Sequence, residues 1–237
     1  MKNQYFGDIR DLFKYDVIHH IIKEVESVKR FTFVPMLTED DNGRDGNKVD
    51  YSKAVAGIRN TDLSYLLQTC VREKRRNVSE IERYFAANGV RTAIHKGGSE
   101  YFTHGGRSGY FASLEDTLLH DALVFLDPDN GLEVKGSNHK HVLFSEIKDL
   151  YRRMNENSIL MAYQHFPREG HDGYLTRRSA ELKDVTGDLP MYVSDNEIVF
   201  FFLTKDEGLK SKLVESLIKY KTLYHSLLIG NVSLKWV

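Results

Sequence analysis

A chain of 237 residues with a formal net charge of −1 and 41% hydrophobic residues can bury a sizeable core as a single α/β domain, residues 1–237, and lacks the global basic field of a protein that coats nucleic acid. Four prolines and one cysteine, Cys70, provide neither a linker composition nor an intramolecular disulfide framework, so the thiol reads as a small buried residue in a reducing compartment. No stretch approaches the apolar length of a bilayer span and the charged N-terminus lacks a signal-peptide core, so a cytoplasmic protein without a membrane partner is expected.

In chain order, apolar residues at 9, 12, 13, 17, 18, 21 and 22 have helical spacing, with Asp8 as the N-cap. Lys14 lies on a different face from Leu12 and Phe13; it is either solvated or placed to reach an anionic ligand. Residues 31–37 read as the first strand. The loop from Thr38 to Gly46 that follows is dense in carboxylates and glycine, and suits a hydroxyl-rich or cationic ligand or a divalent metal better than a polyphosphate. It contains neither a dinucleotide fingerprint nor a phosphate-cradling loop. Residues 61–70 and 79–88 have helical spacing and form a helical insertion at about 48–89. The basic run 72–76 between them reads as a solvated helix face, with phosphate contact as the alternative. Residues 90–95 make another strand. The glycine-rich 101–110 segment, carrying His104, Arg107 and Tyr110, reads either as a mobile binding loop or as flexible surface.

The centre of the pattern is residues 121–133. The apolar run from Ala122 to Leu126 predicts a strand buried on both faces, and Pro128 ends it. Ligands in open α/β sheets sit beyond the carboxyl ends of the strands, which places Asp127, Asp129 and Asn130 at a candidate site. A plain turn is the bland alternative; a calcium loop of the EF-hand type fails on spacing, because Glu133 follows Gly131 by only two positions. A helix over 143–155 and a second buried strand over 158–168 follow, so that Gln164, His165 and Arg168 open on the same edge as Asp127. The chain continues with a helix over 174–183, a hairpin turning at Asp195-Asn196 that predicts an antiparallel pair at the sheet edge, and a helix over 207–220. The predicted fold is α/β, a doubly wound, mostly parallel sheet with a C-terminal antiparallel hairpin.

Phe6-Gly7-Asp8 with Asp11-Leu12-Phe13-Lys14-Tyr15, and the strand end Asp127-Pro128, together with the order of elements, resemble the large-subunit ribosomal RNA adenine-N6 methyltransferases. The resemblance implies a class I methyltransferase-like fold, S-adenosylmethionine as cofactor and a nucleic-acid substrate. Gly7, Asp8, Thr38, Glu39 and Asp40 would then face the cofactor, Asp127 and Asn130 would orient the base, and Lys14 with Arg168 would hold phosphate, beside Gln164. Tyr101, Tyr110 or Phe166 would supply the stacking surface. The sequence departs from the family where Asp129 and Asn130 replace the second proline and the aromatic residue of its catalytic loop, and where the first-strand loop has a single late glycine. A hydrolase is the alternative, with Asp127, Asp129 and Glu133 around a divalent metal, or with His165 as acid or base. A non-catalytic nucleotide-binding protein is the third reading.

Overall fold

The computed structural model describes residues 1–41, 43 and 46–232. Asn42, Arg44 and Asp45 of the acidic loop, and residues 233–237, lie outside the described residues. In chain order the elements are α1 (Ile9–Glu24), β1 (Arg30–Val34), α2 (Thr61–Arg72), α3 (Ile81–Ala87), β2 (Arg91–Ile94), α4 (Arg107–Ala112), β3 (Ala122–Leu126), β4 (Gly131–Leu132) and β5 (His141–Val142). They continue with α5 (Phe144–Arg153), β6 (Ile159–His165), α6 (His171–Thr186), β7 (Met191–Ser194), β8 (Ile198–Leu203), α7 (Glu207–Leu223) and β9 (Leu228–Gly230).

Local chemistry sets the boundaries. Asp8 accepts the backbone N–H groups of Arg10 and Asp11 at the start of α1, Asn60 and Asp206 do the same for α2 and α7, and α6 ends on Gly187 at φ +88°. β1 stops at Val34, shorter than the predicted 31–37, because Pro35 has no N–H to donate and Met36 turns into positive φ.

Seven strands form one sheet in the order β2-β1-β3-β6-β8-β7-β9. The pairs β1·β2, β1·β3 and β3·β6 are parallel, and β6·β8, β7·β8 and β7·β9 are antiparallel. The mostly parallel α/β architecture is therefore as expected, and Asp195 closes the hairpin by accepting from Glu197 and Ile198. The hairpin is not at the sheet edge, however. β8 is buried between β6 and β7, and the edge belongs to β9, a strand absent from the sequence reading.

Alternate residues of each strand feed two cores, one per face. Phe31, Phe33, Leu123, Phe125, Met161 and Phe200 face α1, α2, α3 and α7. Val124, Leu126, Leu160, Ala162, Val199 and Phe201 face α4, α5 and α6. Leu63, Leu67, Ile81 and Phe85 belong to the first of these cores, so the segment predicted as an insertion is the crossover covering β1 and β2. The glycine-rich 101–110 segment also departs from expectation: its end forms α4, with Arg107 buried in a bidentate ion pair to Glu146. Among the described residues, no helix is long and apolar enough to cross a membrane.

Candidate functional site

β1, β3 and β6 end at one rim of the sheet. Asp127 extends the ladder, donating its N–H to Val34 O at 3.1 Å, after which Pro128 turns the chain away. The following residues are pinned rather than loose. Asn130 N–H donates to Lys140 O, Gly131 and Leu132 pair with His141 and Val142, and Leu132 N–H donates to Gln164 Oε1 at 2.8 Å. Gly131 is obligatory here: it sits at φ +118°, and a Cβ would lie 2.5 Å from Gln164 Oε1.

Above this rim lies a cleft of about 530 Å³ lined by Asp8, Lys14, Asp127, Asp129, Asn130, Gln164 and His165 among others. Its floor is a buried charge network. Lys14, 3% exposed, donates to Asp11 at 2.7 Å and to Asp127 at 2.8 Å. Burial opposes the Lys14 charge, but the two carboxylates outweigh it and hold its pKa above the usual lysine value. Burial raises the pKa of Asp127, 1% exposed, against the pull of Lys14. Asp129 accepts from Thr38 Oγ1 at 3.1 Å and lies 3.5 Å from Lys140 Nζ. Asp8 is pushed up to about 7, first by burial and then by the neighbouring Asp11 charge. His165, at the open end of β6, has its pKa lowered by burial of part of the ring and then by Arg10.

Other candidates lie elsewhere. Arg168 is exposed and does not line the cleft; the cationic side chains there include Lys2, Arg10, Lys14, Lys140, Arg177 and Arg178. Tyr110 is buried in the second core against His95 and Phe102, so it offers no stacking face. Phe166 stacks on His171 at 3.9 Å, and Tyr101 is exposed outside the cleft. The aromatic rings on the cleft wall are Tyr5, Tyr163 and Tyr174. Gly7 is a packing residue, since a Cβ there would meet Val71 at 2.7 Å. Glu39 and Asp40 are exposed and absent from the wall, while Thr38 supports Asp129 from behind. In the basic run, Arg75 pairs with Glu73 and Glu80, and Arg76 donates to the carbonyls of Gln4 and Gly46.

Glu133 turns away from Asp127 and Asp129 to accept from Phe144 N–H at the start of α5. Among the described residues, no group of three or more His, Cys, Asp or Glu side chains is arranged to hold a metal ion. The loop after β1 is also poorly suited to S-adenosylmethionine in the position the resemblance implies. Met36 and Leu37 are buried, Leu37 O accepts from Phe102 N–H, Thr38 N–H donates to Met1 O, and Asp41 N–H donates to Gln4 Oε1. These backbone groups are used internally, and of residues 35–41 only Asp41 reaches the cleft. The described residues 35–41 after β1 do not fit that cofactor. No protein-family model, curated protein or solved structure matches the chain.

Proposed function

We propose that the cleft binds a nucleotide, free or as one unit of a nucleic acid, with its base toward the acidic floor and its phosphate toward the basic outer wall. The observation that carries this reading is the mixed lining of one cleft: the carboxylates Asp8 and Asp127 and the amide of Asn130 share it with the cations Lys140 and Arg177. Asn130 is exposed, and its side chain makes no hydrogen bond among the described residues, so both its amide groups can meet a base edge. Arg177 lies over the Tyr174 ring at 5.2 Å while bonding Glu169, an arrangement that holds the guanidinium at the cleft mouth. A phosphate there would replace one carboxylate contact with another anion of matching geometry.

Calorimetric titration with adenosine 5′-monophosphate tests the reading. Adenosine should bind about tenfold more weakly than the nucleotide, and Arg177→Ala should remove that difference, a loss of about 1.4 kcal/mol. Equal binding of nucleoside and nucleotide, or no binding at millimolar concentration, would overturn it. Asp127-Pro128 at the end of β3 and the β7–β8 hairpin are what support methyl transfer, and the same calorimeter addresses it. With the loop after β1 closed, S-adenosylmethionine is expected to give no heat beyond that of a simple adenosine ligand, and tight donor binding would restore methyl transfer as the leading reading.

A further inference from the structure

The floor of the cleft holds four carboxylates, and their partners are unequal. Asp11 and Asp127 share Lys14, and Asp129 has Lys140 and the Met1 ammonium. Asp8, 3% exposed, has no cation within ion-pair distance among the described residues, because the neighbouring Arg10 reaches away to Glu197. Its two oxygens also differ. Oδ1 accepts the backbone N–H groups of Arg10 and Asp11, whereas Oδ2 makes no hydrogen bond among the described residues. A proton carried by this carboxyl must therefore sit on Oδ2, the oxygen left free at the cleft.

The geometry points to Asp8 Oδ2 as the contact that reads the Watson–Crick edge of the bound base, donating its proton to the ring-nitrogen acceptor of an adenine or cytosine. This inference rests on the nucleotide reading and narrows it to the bases that present such an acceptor. Uracil presents an N–H at the corresponding position and would meet the proton head-on. The groups facing Asp8 are consistent with a proton held there. Burial and then the Asp11 charge raise its pKa and outweigh the Asp11 N–H, Lys14 and Arg10, which pull the other way, while Tyr15, Tyr51 and Tyr163 around it are held neutral by burial. The carboxyl of Asp8 is pushed up to about 7, so the proton is present over the lower part of the neutral range and lost above it.

The sign of the pH dependence follows. The bound state keeps the proton that free Asp8 loses, so binding takes up a proton at higher pH, and the affinity for adenosine 5′-monophosphate should fall about tenfold per pH unit above about pH 7. Asp8→Asn is the informative variant. Asparagine remains a good helix N-cap through Oδ1, and its Nδ2 becomes a permanent donor where Oδ2–H was. It should retain the affinity for the adenine nucleotide measured at low pH and lose the pH dependence. Uridine 5′-monophosphate should bind wild type at least about tenfold more weakly than the adenine nucleotide at pH 6, with the gap closing as pH rises. A ligand-free arm uses ¹³C NMR, in which the Asp8 carboxyl carbon should titrate near neutrality. An ordinary acidic titration, equal binding of the two nucleotides at low pH, or an unchanged pH profile in the variant would each overturn this contact while leaving nucleotide binding standing. Failure of every nucleotide to bind would overturn both.

Discussion

Removing the Lys14 ammonium would leave Asp11 and Asp127 buried without a counter-charge. Such uncompensated burial is far more costly than the net worth of the original pairs, so Lys14→Met should lower stability by about 3–5 kcal/mol in urea unfolding. Adding Asp11→Asn and Asp127→Asn to that variant should recover most of the loss; if it does not, packing rather than charge is what Lys14 provides. The same residue shows what the sequence conceals. Helical spacing put Lys14 on α1, but nothing local could reveal that this face is turned toward a carboxylate 113 positions later. Asp8, by contrast, was legible as an N-cap because capping is decided within one turn.

At the scale of elements, the stretch from Asp127 to Leu132 behaves as a strut between β3 and β6. Gln164 is its fastening, accepting from Leu132 and donating to Asn130 O, and Gly131 is the position that lets the two approach. Gly131→Ala should displace the Gln164 amide, shift Asp127 to Asn130 and weaken nucleotide binding by about tenfold or more, while the helices report an intact fold by circular dichroism. Unchanged affinity would mean the strut tolerates a shift without moving the site. Elements with a strong internal signal were readable: the all-apolar β3, the apolar run that opens β6, and the hairpin turn at Asp195-Asn196. Those defined by distant partners were not. β9 is three residues long and exists because β7 offers it a ladder, and α4 grows from a glycine-rich stretch because Glu146 draws Arg107 inward. Arg168 was expected at the rim and Arg177 was not, because it is the placement of α6, a tertiary feature, that brings Arg177 to the cleft.

Across the whole molecule, both faces of the sheet are covered, and an aromatic ladder ties the strands together. Phe31, Phe33 and Phe125 stack in succession at 5.8 and 5.5 Å, and Phe125 meets Phe200 edge-on at 6.2 Å. Contacts of this kind contribute about 0.5–1.5 kcal/mol each beyond their burial. They link the parallel half of the sheet to its antiparallel half, so the two halves are expected to unfold together. One more consequence comes from Gly7. It seats the start of α1 directly on Leu67 and Val71 of α2, one turn from Cys70, whose thiol is fully buried and raised in pKa by that burial and then by Glu80. With a single sulfhydryl in the chain, a chromogenic disulfide reagent can count how often α2 lifts off, and an occupant of the cleft should slow that clock from the opposite side of the helix pair.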